Sequence, residues 1–374
     1  MNLRRSDQHG ADARRSDRAP IRIGALAPLS PPGWTEAGRH LLAGLALGVD
    51  EINASGGVDG HPLELLVRDT SADPHRAADA VRELERLDVV ALVGEYHSVA
   101  AQAAAATADA LGVPFLCSSA VLDAIPERET RAVARLAPAQ SHGWRVYGDF
   151  LLDRGHRRIA VAIEPSVYWA AGARLLAEHL APRGGSVIEL DARTQSVASL
   201  CDAALAAQVT AILLLTGHPE PATSIVRAVR HDDRMHAILL GAPAGQPEFP
   251  EWAEALGVEG AGVPFLRYLP ERLTPIGVRV DDRLRRKLGA RPSFVAFEGF
   301  DSALVLASVV RTAGADRARI IESWSTPSVA GSRGVIQFSR VPDVSAWQWA
   351  WAPVQVVDRD PASPERLRVL YARS

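Results

Sequence analysis

Between Ile21 and Val81 the chain spells out a strand, a loop, an amphipathic helix, a glycine turn, a second strand and the start of a second helix without interruption. Ile21, Ile23, Ala25 and Leu26 form the short apolar run that a buried parallel strand needs, and the Pro- and Gly-rich stretch from Pro28 to Gly38 cannot continue it. The loop therefore leaves from a strand's carboxyl end. In open α/β sheets small molecules bind there, because helix N-termini present unpaired N–H groups to acceptors and anions. Leu41 to Asn53 reads as a helix with Leu41, Leu45, Ala46 and Val49 on one face, stopped at Gly56 and Gly57. Pro62 to Asp69 is the next strand and Pro74 to Leu87 the next helix.

The alternation then repeats. Val89–Val93 is a strand, Ser98–Leu111 an Ala-rich helix and Val113–Cys117 a strand, each crossover being long enough for parallel pairing. In the second half, strands are expected at Ile159–Ile163, Ser186–Leu190, Ala211–Leu215 and Ala237–Leu240, with helices at Tyr168–Leu180, Val197–Ala207 and Pro221–Arg230 between them. Helices at Val295–Thr312 and Arg317–Ser323 follow, then strands at Gly334–Phe338 and Gln348–Val357. The expected fold class is α/β, with two similar lobes, each a parallel sheet flanked by helices, joined by hinge strands. At 374 residues the chain has apolar residues enough for two cores.

The charge pattern narrows the function. A net charge of −3 with acids and bases interspersed argues against a nucleic-acid groove or a membrane-surface patch. No run approaches the roughly 20 apolar residues of a membrane span, so direct membrane insertion is not expected. Cys117 and Cys201 are too far apart for a zinc or CxxC pattern and read as buried thiols. The first twenty residues carry an Arg pair but no apolar segment after it, so they read as a flexible arm and the chain as written reads as cytoplasmic. An upstream start or a processed chain would make it extracytoplasmic.

Taken in order, the segments IGALAPLS, DEINASGGVDG, VRDTSADPHRA, LVGEYHS, VPFLCSSA, FEGFDSALVLASVV, GVIQFS and PVQVVD carry a resemblance over nearly the whole chain after Ile21. They resemble the type I periplasmic binding proteins of the branched-chain amino-acid receptor group, the Leu/Ile/Val substrate-binding proteins of ABC transporters, which are related to cytoplasmic amide sensors. The resemblance implies a two-lobed clamp that closes on a small ligand, with hinge strands near 135–139, 263–267 and 332–335. Lobe 1 would be 21–137 plus 266–333, lobe 2 would be 138–265 plus 334–358, and 359–374 a C-terminal tail.

It also implies site residues. Ser98 falls where the family places a hydroxyl on the ligand's carboxylate or amide oxygen; the alternative is a plain helix N-cap. Ser119 and Ala120, or Ser118 one register away, would offer polar groups to the same end, unless they form an ordinary turn. Trp34 matches an aromatic position lining the cleft, and Tyr168 an aromatic reaching in from the second lobe, with Trp169 beside it reading as packing. Gly217 and His218 occupy a strand-end loop where His218 could hydrogen-bond a ligand or stand in solvent.

One position departs from the pattern. Amino-acid receptors of this group carry an acid for the ligand's α-ammonium where this chain reads GAPAG, with Pro243 at or beside that place. Burying an unpaired ammonium costs several kcal/mol. Either another carboxylate takes over, Glu95 first and Glu248 second, or the ligand is not a free α-amino acid; the alternative for Glu95 is a solvated loop carboxylate.

No GxSxG, HExxH, P-loop or strand-linked GxGxxG is present, and Glu95, His97 and Ser98 on one loop make awkward triad geometry. Three functions remain open. The first is a small-molecule receptor for an ABC-type importer, with its permease as partner. The second is a cytoplasmic sensor acting on a regulatory protein. The third, an enzyme using the same cleft, has no readable constellation to support it. No cofactor and no metal are implied.

Overall fold

The computed structural model describes residues 18–372. The N-terminal arm expected over 1–20 lies outside the described residues up to position 17. Arg18 and Ala19 are seen to bond to Asp59 and His61 of the glycine turn.

The chain builds its first sheet from β1 (Ile21–Ala27), α1 (Thr35–Ala54), β2 (Leu63–Asp69), α2 (Pro74–Arg86), β3 (Ala91–Gly94), α3 (Ser98–Ala110), β4 (Phe115–Cys117) and β5 (Val133–Arg135). It then passes into α4 (Gln140–Asp153), β6 (Arg158–Ile163), α5 (Val167–Leu180), β7 (Ser186–Asp191), α6 (Val197–Ala206), β8 (Ala211–Leu215), α7 (Ala222–His231), β9 (Leu239–Gly241) and α8 (Pro250–Leu256). β10 (Phe265–Arg267) leads back to α9 (Pro275–Leu288), α10 (Phe294–Ala313) and α11 (Arg317–Glu322). The end of the chain forms β11 (Val329–Ala330), β12 (Val335–Ile336), β13 (Phe338–Ser339), β14 (Trp347–Trp349), β15 (Gln355–Asp360) and β16 (Ser363–Ala372).

Two parallel sheets result. The first runs β13-β14-β5-β4-β3-β1-β2, parallel except for β13, and the second runs β7-β6-β8-β9, parallel throughout. A third, antiparallel sheet, β10-β15-β16, packs on α4 beside the second lobe. The strand segments are continuous apolar runs such as Ala211–Leu215, buried at every position, because helices cover both faces.

Glycines set how closely the first lobe's helices approach. A Cβ on Gly44 of α1 would meet the Ala296 carbonyl oxygen at 1.8 Å, and one on Gly299 of α10 would meet that of Leu41 at 2.2 Å. The two helices thus cross with their backbones in contact. That crossing places the start of α10, and with it Phe294, at the mouth of the first sheet.

The sheets revise the expected boundaries. β14 pairs parallel with β5, so residues 338–349, assigned to lobe 2 from sequence, extend the first sheet instead. Ser332 and Arg333, expected as a hinge, are buried in lobe 1, where Asp301 accepts from the Ser332 N–H at 2.6 Å and from Arg333 Nε at 2.9 Å. The third crossing runs between β14 and β15. The expected tail is a strand as well, since β16 pairs antiparallel with β15.

Candidate ligand-binding cleft

The carboxyl ends of both sheets face one cavity of about 220 Å³. Trp34 enters it from the loop after β1, Ala72 from the loop after β2, and Ser119 and Val121 from the loop after β4. Tyr96 and His97 follow β3, and Ser98 and Val99 open α3. The opposite wall is Ser166, Tyr168 and Trp169 after β6, with Ala244 after β9. Tyr268, just beyond β10, and Phe294, first residue of α10, close the floor. A larger groove of about 720 Å³ opens on the hinge side, but its walls carry Arg145, Arg174, Glu178 and Glu127, and it lies away from the mouths of the sheets.

Each part of the polar wall is held by a named bond. Gly94 ends β3 at φ +126°, where a Cβ would strike the Leu26 carbonyl at 2.0 Å, so the chain can turn sharply away from the sheet. The Glu95 carboxylate then ties the turn together, accepting from Thr70 Oγ1 at 2.5 Å, Tyr96 N at 2.8 Å and His97 N at 2.9 Å. His97 is the N-cap of α3, and its Nε2 accepts from Trp34 N at 2.9 Å, which fixes the Trp34 loop to the helix start. Ser98 is therefore the first helical residue, not the plain N-cap that is the alternative to its ligand role. Its Oγ accepts from Leu122 N at 3.3 Å, leaving the O–H free to donate toward the cavity beside the unpaired N–H groups of the first turn.

The electrostatics of the cavity are close to neutral. Among the described residues, no Asp, Glu, Lys or Arg lines it. Burial drives His97 down to about 4, so its imidazole is uncharged at neutral pH, and burial raises the phenols of Tyr96, Tyr168 and Tyr268. Behind Ser119 stands Glu298 of α10, pushed up to about 7 by burial, against the opposing pull of Arg333 and a hydrogen bond from Ser119. Arg333 bridges Glu298 at 3.2 Å and Asp301 at 2.9 Å.

Of the residues singled out in the sequence, Trp34, Ser98, Ser119 and Tyr168 come together on this cavity. The other five do not line it. Glu95 is fully buried and bonded as described, so it is neither a solvated carboxylate nor free for an ammonium. Ser118 and Ala120 are turned inward, their N–H groups donating to the carbonyls of Gly94 and Glu95 at 2.8 and 3.0 Å. The Gly217 N–H donates to Glu164 Oε2 at 2.7 Å, on the exposed side of its loop. His218 packs between Trp34 and Trp252, ring centroids 6.0 and 5.7 Å away, instead of reaching ligand or solvent.

Glu248 is likewise engaged. It pairs with Arg267 at 3.0 Å and accepts from Phe294 N at 3.2 Å. Trp169, expected to be packing, lines the cavity with its ring centroid 4.8 Å from Tyr168. Tyr96, His97, Ser166, Tyr268 and Phe294 were not singled out as cleft-lining residues. Tyr96 and His97 adjoin Ser98 in GEYHS and could have been found from that neighbourhood; Tyr268 follows β10, at the end of the strand expected as a hinge near 263–267, and Phe294 opens a helix with no strand before it.

Two lobes closed face to face on one small cavity invite comparison with known clamps. The profile of the periplasmic binding protein family matches residues 20–355. The chain belongs to the periplasmic binding protein family. Within it, Leu/Ile/Val-binding protein homolog 7 of Brucella abortus (strain 2308) is 36% identical over 121 residues, 32% of this chain and 30% of the relative. The match thus spans under a third of that binding protein's length. The leucine-binding protein LivK of Thermotoga maritima MSB8 superposes with a TM-score of 0.81 at 21% identity, covering 93% of this chain and 97% of the other. A solute-binding protein of an ABC transporter from R. palustris, in complex with benzoate, superposes with a TM-score of 0.78 at 18% identity, covering 94% and 96%. At these identities the two structures establish a shared periplasmic-binding-protein fold. No helix among the described residues is long and apolar enough to cross a membrane.

Proposed function

We propose that this chain is the solute-binding component of an ABC-type importer, closing its two lobes on a small amino-acid-like or amide-like molecule and presenting it to a membrane permease. One observation carries the reading: both sheets direct their carboxyl ends at a single cavity walled by residues of each lobe. The lobes meet around it, with Phe249 of the second lobe 4.8 Å from Trp34 and 6.2 Å from Tyr96 of the first. A ligand bridging the two walls stabilises this closed arrangement by mass action, about 2.7 kcal/mol at a hundredfold excess over Kd.

Chemistry is less well supported than binding. Ser98 Oγ is bonded to Leu122 N and His97 Nε2 to Trp34 N, so the loop's serine and histidine do not form a nucleophile–base pair. Burial pushes the Cys117 thiol up to about 12, far from a thiolate. The leucine-binding and benzoate-bound neighbours bracket the ligand chemistry, since leucine carries an ammonium and benzoate does not.

The test is a thermal-shift panel of amino acids, amides and carboxylic acids, with hits followed by calorimetry and mass spectrometry of the recovered ligand. A saturable rise in melting temperature with the ligand recovered intact supports the reading. A chemically altered ligand, or no shift across the panel, overturns it.

A further inference from the structure

We propose that the cleft selects flat aromatic monocarboxylates without an α-ammonium, in preference to free amino acids; this rests on the solute-binding reading and names its substrate class. The shape of the cavity comes first. Trp34 and Tyr96 stand edge to face at 5.8 Å and 79°, and Tyr268 and Phe294 at 4.9 Å and 69°. Tyr168 and Trp169 complete the enclosure from the second lobe. Aromatic rings prefer offset-stacked and edge-to-face neighbours, so walls of this kind gain most from a ring between them.

One end of the cavity suits an anion. Ser98, less than a tenth exposed, keeps its O–H for a ligand, and the first turn of α3 adds N–H groups and the positive end of its dipole. A second observation points the same way. Arg135 is wholly buried behind this wall, donating from Nη1 to the carbonyls of Val121 and Leu122 at 3.0 and 2.5 Å and from Nε to Gln348 at 2.7 Å. Its Nη2 has no hydrogen-bond partner, and among the described residues no carboxylate lies within ion-pair distance of it. Asp123 supplies an opposing charge within its field but makes no ion pair with it, and an anion arriving at this wall adds to that stabilisation.

The other half of the argument is what an ammonium would meet. Pro243 stands near where amino-acid receptors of the resembling group carry an acid, and the second lobe offers Ala244 to the cavity. None of the acids near the cavity lines it: Glu95 bonds Thr70 and two backbone N–H groups, Glu248 bonds Arg267 and Phe294 N, Glu251 bonds Trp34, and Glu298 pairs through Oε1 with Arg333 behind Ser119. An α-ammonium entering here exchanges water for aromatic faces and methyl groups. A benzoate-like ligand presents only carbon at that end.

Calorimetry on the full chain tests this with benzoate, 4-hydroxybenzoate and phenylacetate against L-leucine, L-phenylalanine, benzamide and glycine betaine. The expected result is benzoate-type acids binding on the order of a hundredfold more tightly than L-phenylalanine and about tenfold more tightly than benzamide. Leucine, phenylalanine or betaine matching or exceeding the benzoates overturns the substrate class while leaving solute binding intact. Benzamide equal to benzoate overturns the anion seat. Absence of binding by every probe overturns both proposals. Ser98→Ala should erase most of the preference for benzoate over benzamide; a variant that melts like the parent yet keeps that preference counts against the seat.

Discussion

The two walls of the cleft are built from different materials. Lobe 1 offers hydroxyls, a helix start and a loop pinned by Glu95, His97 and Asp69, which accepts from Leu29 N at 2.8 Å and from Ser30 Oγ at 2.5 Å. Lobe 2 offers Tyr168, Trp169 and Ala244, and of its cavity residues only Ser166 carries an aliphatic hydroxyl, engaged by Tyr168 N at 3.2 Å. On the proposed reading the first wall is preorganised to read charge, and the second supplies area that is buried when the lobes close. Preorganised donors lose little entropy on binding, and apolar area contributes whatever the ligand's charge.

The largest effect that would break this contrast is expected at Ser98. Replacing Ser98 by Ala removes a hydrogen bond to a charged group, about 1.5–3 kcal/mol, so benzoate affinity should fall roughly ten- to a hundredfold while benzamide falls much less. Titration calorimetry with both ligands measures it. Equal losses for the two ligands would mean that the first wall reads area as well.

Tyr168→Ala is the counterpart on the second wall. Loss of its ring should weaken benzoate and benzamide together, by about tenfold, because only buried area and ring contact disappear. A loss confined to benzoate would assign charge recognition to lobe 2 and dissolve the distinction.

The strands and their order were legible because a buried parallel sheet writes itself as uninterrupted apolar runs, and Val89–Val93 and Ala211–Leu215 are such runs. α4 and α9 were not. In QSHGWRVYGDFLLD, Gly143 and Gly148 interrupt the helical signal; Gly148 is required by His179, whose ring carbon would lie 2.6 Å from a Cβ there, a tertiary demand that no local pattern reveals. α9 is so rich in Arg and Asp that its buried stripe is only Gly277, Val280 and Leu284. The run from Gln348 to Val357 looked like one strand, yet it serves two sheets, since Pro353 and the turn before it divide β14 from β15. At the site, residues on strand-end loops were visible, whereas the fates of Glu95 and His218 depended on partners 25 and 184 residues away, Thr70 and Trp34.

A smaller effect is expected where the two walls touch without the ligand. Glu248 of lobe 2 accepts from Phe294 N at the start of α10 in lobe 1, so it caps a helix across the cleft and favours closure. A carboxylate at a helix N-terminus contributes about 0.3–1 kcal/mol. Glu248→Gln should therefore weaken every ligand by only a few-fold, independent of ligand charge, as read by intrinsic tryptophan fluorescence. A charge-dependent loss would place Glu248 in the recognition wall itself.

The smallest effect is a pH dependence that sharpens the account of the first wall. The Glu298 carboxyl, raised to about 7, faces Arg333 and Asp301, with Tyr96, Tyr268 and Cys117 also within its field, and it hydrogen-bonds Ser119. Between its ordinary 4.5 and about 7 the folded protein holds this proton while the unfolded chain has released it. Stability from this group is therefore greatest at the acidic end of that window, declines as pH rises through it, and is flat above. His97, depressed to about 4, has the opposite sign: the unfolded chain takes a proton below 6.5 that the folded protein refuses, so stability is lost as pH falls from 6.5 toward 4. Subtracting the melting profile of Glu298→Gln from that of the parent isolates the first slope. The same ionisation puts a negative charge behind Ser119, so benzoate affinity should fall about twofold as pH rises through 7, and benzamide affinity should not change. An equal pH response for both ligands would show that Glu298 acts on the fold alone and not through the hydroxyl facing the ligand.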